Sequence, residues 1–106
     1  MVLTVDSSNF AEEVLRADKT VVVDFFATWC PPCQRLAPVF ESVAGELQDL
    51  KFVKIDIDDC NDLAVEWGIS AIPTLVIFKA GKMVAKEVPH GFDLASLKAQ
   101  LGRFIA

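Results

Sequence analysis

The chain is poor in the residues that build metal sites and disulfide frameworks, with three cysteines and one histidine among 106 residues. Secreted disulfide scaffolds use an even and larger cysteine set, so no such framework is expected and a reducing compartment fits better. A zinc site as a rule needs four ligands, and beyond Cys30 and Cys33 the chain offers only Cys60 and His90, with no second paired motif. No metal is expected. Positive charge is also scarce and scattered: the net charge is −5 and the pI about 4.7, which argues against binding nucleic acid. No apolar run approaches the roughly 20 residues that span a bilayer, the longest candidate being broken by Asp24, so no membrane association is expected. Val2-Leu3-Thr4-Val5-Asp6 follows Met1 directly, with no basic start, signal-length apolar stretch or small-residue cleavage site, and a cytoplasmic location is the expectation. Linkers, repeats and low-complexity segments are missing too.

What remains has the size and composition of one globular domain over 1–106, 53% hydrophobic and 24% charged, with little room for an enclosed pocket. Large partners are therefore plausible substrates, met at the surface. Val2 to Val5 reads as a strand. Asp6-Ser7-Ser8-Asn9 then offers helix N-caps, with Glu12 three residues after Asn9 as in a capping box, and predicts a helix to about Ala17. Thr20 to Ala27 is nearly unbroken apolar sequence, a strand buried on both faces. After the cysteines, Leu36, Ala37, Phe40, Val43, Ala44 and Leu47 recur at helical spacing, with Pro38 placed to kink the helix. Lys51 to Ile57 predicts a further strand, and Asn61 to Trp67 a short helix ended by Gly68. Thr74 to Phe78 and Met83 to Val88 flank Lys79-Ala80-Gly81-Lys82 and predict an antiparallel hairpin. Asp93 can cap a last helix carrying Leu94, Leu97, Leu101 and Phe104 on one stripe. This order predicts an α/β fold with a central mixed sheet and helices on both faces.

The chemistry concentrates in Trp29-Cys30-Pro31-Pro32-Cys33. Only a cysteine thiolate attacks a disulfide, so a redox cysteine belongs where negative charge is favoured and solvent can reach it. Cys30 stands between a buried strand and a strong helix pattern, and the two prolines after it are tolerated only in a first helical turn, making Cys30 the expected N-cap. Pro31 and Pro32 carry no N–H, which leaves the amides of Cys33 and Gln34 and the helix dipole to hold the thiolate. Two intervening residues close a tiny loop, a poor structural staple and a good reversible couple. A half metal site and inert thiols are the competing readings. Asp24 and Lys54 each interrupt an apolar strand, and buried charges are costly enough that such residues are usually paired or functional. Burial should raise the carboxyl pKa of Asp24, so that it can exchange a proton with Cys33; the competing reading is a structural ion pair.

Several segments together resemble the thioredoxin family over essentially the whole chain: Val22-Val23-Asp24-Phe25-Phe26-Ala27-Thr28-Trp29-Cys30, Ala37-Pro38, Lys54-Ile55-Asp56-Ile57-Asp58, Gly68-Ile69 and Ile72-Pro73-Thr74-Leu75. The resemblance implies the thioredoxin fold and protein disulfide reduction, with Cys30 as nucleophile and Cys33 as resolving thiol. It implies Asp24 and Lys54 beneath them and a cis bond before Pro73. The implied substrate surface is Trp29, Ala71, Ile72, Pro73 and Gly91, with Asp58 hydrogen-bonded to Trp29. No cofactor is implied beyond the redox-active Cys30–Cys33 disulfide. The implied partners are disulfide-containing proteins and either a thioredoxin reductase or a small-dithiol donor, with the chain acting as a monomer.

Three departures stand out. Pro31 occupies a position usually held by glycine, as in tryparedoxins and nucleoredoxin-like proteins, and a stiffer turn there is expected to alter the reduction potential. Gln34 replaces a common lysine, and His90 is put beside the substrate surface, where a merely solvated or packed side chain is the plainer reading. Cys60, after Asp58 and Asp59, is expected to be a passive rather than a regulatory thiol because those carboxylates disfavour its thiolate. A non-catalytic binding subunit of the same fold is the alternative function, against which the retained thiols argue.

Overall fold

A computed structural model describes residues 1–105. Five strands, β1 (Val2–Thr4), β2 (Thr20–Phe26), β3 (Leu50–Asp56), β4 (Thr74–Lys79) and β5 (Lys82–Glu87), form one sheet in the order β1-β3-β2-β4-β5. β1 and β2 run parallel to β3, while β4 runs antiparallel to both β2 and β5, so the sheet is mixed as the sequence pattern implies. β2 lies at its centre, which is why Val21, Val22, Val23 and Phe25 are all buried and the run carries no alternation.

Three α-helices, α1 (Pro31–Glu46), α2 (Asn61–Glu66) and α3 (Leu94–Gly102), cover the sheet. Side chains alternate across a strand. Val22, Leu75 and Ile77 therefore join Leu36, Phe40 and Val43 of α1 and Leu97 and Leu101 of α3 in one core. Val21, Val23, Phe25 and Phe78 face the other way, against Phe10, Val14 and Leu63. Trp67 closes this second core, edge-on to Phe78 at 4.9 Å between ring centroids and tilted on Phe10 at 5.8 Å. Burial of the Phe10 and Phe78 side chains contributes roughly 1.5–3 kcal/mol each.

The first helix differs from expectation. Ala11–Leu15 is a five-residue π-helical segment, with Arg16 N donating to Ala11 O at 2.9 Å. No capping box forms around Glu12: Phe10 occupies the cap position without a side-chain bond. The polar groups upstream are engaged with one another, Asn9 Oδ1 accepting from Asp6 N and Asp6 Oδ1 from Ser8 N, both at 2.8 Å. Such local bonds compete with helix capping.

The remaining boundaries follow their sequence signals. Gly68, at φ +67°, ends α2, with Gly68 N donating to Val65 O and Ile69 N to Ala64 O, the paired bonds of a glycine C-cap. Ala80 and Gly81 both have positive φ in the hairpin turn, and a Cβ on Gly81 would meet Leu15 O at 3.0 Å. Asp93 caps α3, accepting from Ser96 N at 2.8 Å. Two expected core positions are corrected: Leu94, at the first turn of α3, and Ala37, on the outer side of α1, are exposed. Among the described residues no helix is long and apolar enough to cross a membrane.

Candidate active site

β2 delivers the chain to the start of α1, and Cys30 is the N-cap there, with φ −87° and ψ 112° and Pro31 and Pro32 in the first turn. The extended conformation is the one a residue before proline prefers. Cys30 and Cys33 form a disulfide, their Cα atoms 5.2 Å apart. Cys33 N donates to Cys30 Sγ at 3.2 Å, a contact that would hold negative charge on that sulfur once the bond opens. The Gln34 amide does not share this task, because it donates to Cys30 O at 3.0 Å and makes the first bond of the helix. One amide, rather than the two expected, thus serves the sulfur.

The two cysteines are covered to nearly the same degree, 4% and 3% exposed. In the disulfide form neither cysteine stands out as the more exposed one. Exposure is carried instead by the neighbours: Trp29 is 63% exposed and Pro31 is also exposed. Ala27, Phe26, Ile57 and Ile72 pack around the pair. Trp29 Nε1 donates to Asp58 Oδ2 at 2.7 Å, which fixes the indole over the end of β3. Beside it a shallow groove of about 200 Å³ is lined by Trp29, Ile57, Ile69, Ser70, Ala71 and Ile72. Ile57, Ile69 and Ser70 were not named as lining residues by sequence; their signal was adjacency, Ile57 ending the β3 pattern and Ile69 and Ser70 preceding Ala71. The Ile72–Pro73 peptide bond is cis, and Pro73 is buried.

Gly91 sits against the start of α3, where a Cβ would meet Ser96 Cβ at 3.0 Å. Its loop is held by a buried amide that no sequence signal singled out beyond being a lone polar residue beside Leu97 and Leu101. Gln100 Oε1 accepts from His90 N at 2.8 Å, and Gln100 Nε2 donates to Val88 O at 2.9 Å. His90 itself is exposed. Next to Gly91, the Phe92 ring carries the Arg35 guanidinium 5.2 Å above its centroid, bringing this loop alongside the second turn of α1.

Asp24 is 4% exposed, and its Oδ1 has no hydrogen-bond partner among the described residues. Burial pushes its pKa up from 3.8 to about 7, with Lys54 pulling in the other direction. The two residues are register neighbours on β2 and β3. By strand alternation both share the face of Val22 and Phe52, the face covered by α1. They are not two buried charges, however. Lys54 is half-buried, with its Nζ 5.9 Å from the Phe26 centroid, and among the described residues the ion pairs join Lys51 to Glu13, Lys98 to Glu46 and Arg103 to Glu87. A long stem lets the ammonium reach water where a short carboxylate cannot.

Cys60 is buried at the N-cap of α2 and forms no disulfide. Burial pushes its thiol pKa up, and the carboxylates that add to this are Asp6 and Asp62, not the expected Asp58 and Asp59. Among the described residues no cluster of three or more histidine, cysteine or acidic side chains could hold a metal ion.

The thioredoxin family model matches residues 1–103. Thioredoxin of Callithrix jacchus is 38% identical over 107 residues, covering 99% of this chain and all of that protein. Thioredoxin-1 of Schizosaccharomyces pombe is 41% identical over 96 residues, 91% of this chain and 90% of the relative. Thioredoxin of Mycoplasmoides gallisepticum is 46% identical over 77 residues, 73% and 77% of the two chains. With a closed Cys30–Cys33 pair at a helix start and matches of this extent, the chain belongs to the thioredoxin family of dithiol–disulfide oxidoreductases.

Proposed function

We propose that Cys30 is the attacking thiolate and Cys33 the resolving thiol in the reduction of protein disulfides. The observation that carries this assignment is the helix-capping contact from Cys33 N to Cys30 Sγ, because it favours charge on Cys30 and on no other cysteine. In the reduced enzyme Cys30 thiolate attacks one sulfur of a target disulfide. A Cys30–target bond forms, the target bond breaks, and the leaving thiolate takes a proton. Cys33 then loses its proton to the Asp24 carboxylate and attacks Cys30 Sγ, forming the Cys30–Cys33 bond and expelling the second target thiolate. Two electrons pass from enzyme to target, and no cofactor takes part in the exchange.

Asp24 suits the proton transfer because a pKa of about 7 leaves it able both to accept and to donate near neutral pH. Trp29, Ala71, Ile72, Pro73 and Gly91 are proposed to receive the target chain, with Asp58 holding Trp29 and Lys54 moderating Asp24. Family membership implies disulfide substrates and a reductase in general. For this chain a flavoprotein reductase or a small dithiol would return the electrons, in a reducing compartment such as the cytoplasm. Insulin reduction tests the proposal. Turnover in the wild type and its loss in Cys30→Ser are expected; turnover that survives this substitution contradicts it.

A further inference from the structure

Among the described residues the turn before the helix leaves the Thr28 and Trp29 carbonyls without a backbone donor, and Thr28 O finds a side chain instead. In the turn between β2 and α1, Thr28 O faces a first helical turn whose positions 31 and 32 are prolines and have no N–H. The next two amides are engaged elsewhere, Cys33 N on Cys30 Sγ and Gln34 N on Cys30 O. The donor that reaches Thr28 O is a side chain: Gln34 Nε2, at 2.8 Å. Gln34 lies four residues after Cys30, one helical turn on and on nearly the same side of α1.

We propose that Gln34 is a positioning residue, which ties the Thr28–Trp29 turn to α1 so that Trp29 and Cys30 keep their docking geometry when the disulfide is open. This rests on the disulfide-exchange reading given above. In the oxidised form the Cys30–Cys33 bond already staples this segment to the helix. Once that bond is reduced, Cys30 keeps Cys33 N on its sulfur, Gln34 N on its carbonyl and its own N on Ala27 O at 3.3 Å, while the Thr28–Trp29 turn before it is held by the Gln34 side chain and by Trp29 Nε1 on Asp58 at 2.7 Å. The tie matters in the state that must receive a target. Gln34 thus acts through Trp29 rather than by charge on the sulfur.

Gln34→Met keeps length, neutrality and helix propensity while removing the donor, and Gln34→Lys returns a donor at the end of a long stem. Gln34 is exposed, so both variants are expected to unfold in urea as the wild type does. In insulin reduction, Gln34→Met is expected to raise KM about three- to tenfold, the loss of one hydrogen bond, with kcat and the thiolate titration of Cys30 unchanged. Gln34→Lys is expected to recover most of the KM. An unchanged KM in Gln34→Met, a Lys variant equally impaired, or a loss that follows the Cys30 titration instead of KM overturns the proposal. Wild-type turnover in the same assay tests the disulfide-exchange reading separately.

Discussion

Asp24 shows how a single residue sets a pH dependence. Its carboxyl holds a proton up to about pH 7 in the folded protein, against an ordinary value of 3.8. The native state therefore binds more protons than the unfolded chain between these values, and stability falls as pH rises through that window, then levels off. At about 1.36 kcal/mol per unit the loss amounts to at most roughly 4 kcal/mol. Asp24→Asn removes this titration. Urea unfolding at about pH 5 and about pH 8 is expected to show a clear loss of stability for the wild type and a much smaller one for the variant; equal losses contradict the buried, unpartnered carboxyl. Asp24 was legible in the sequence because a charge inside an unbroken apolar strand has few innocent explanations. Lys54 was only half legible, since periodicity gives the face of a side chain but not how far its stem reaches toward water. The carboxylates around Cys60 were misread for a related reason: Asp58 and Asp59 are its neighbours in sequence, while Asp6 and Asp62 are its neighbours in space.

At the scale of elements, the start of α1 carries most of the chemistry. Pro31 and Pro32 have φ already fixed near its helical value, so the turn between the cysteines has little freedom to lose when the disulfide closes. Pro31→Gly restores that freedom to the reduced form and is expected to make the disulfide less favourable. The reduction potential should rise by about 10–20 mV, the equivalent of about 0.4–1 kcal/mol for this couple. Equilibration with glutathione measures it, and an unchanged or lower potential contradicts the view of the prolines as a preorganised turn. The strands and the three α-helices were readable because burial period, caps and terminators agreed: Cys30 and Asp93 cap, Gly68 stops, and Ala80-Gly81 turns. The segment after β1 was not, since its Asp, Ser and Asn side chains bond within their own turn and leave Phe10 to begin a π-helix. The Gln34 and Gln100 ties were invisible as well. Each joins a helix to a loop carbonyl or amide, a pairing that no residue pattern announces.

For the molecule as a whole, the two cores divide the labour. Phe10, Trp67 and Phe78 fill one face of the sheet, while α1 and α3 fill the other, and the Arg35–Phe92 contact sets the loop before α3 beside the helix that begins at the cysteines. The sheet order was legible as a class, mixed and covered on both sides, because alternating strands and helices followed by a hairpin leave few arrangements open. The sequence pattern did not supply the exposure of the site. The redox pair is almost covered, packed by Ile57 and Ile72, which also line an open groove beside Trp29 rather than an enclosed pocket, as befits a small domain whose substrates are other proteins. The division of roles between the two thiols can be read from a trapping experiment in which reduced Cys33→Ser and reduced Cys30→Ser are each mixed with a disulfide-containing protein and analysed by mass spectrometry without reductant. Cys33→Ser should accumulate a mixed disulfide through Cys30, and Cys30→Ser should accumulate none. A stable adduct on Cys33 in the second variant, or no adduct on Cys30 in the first, would contradict the assignment.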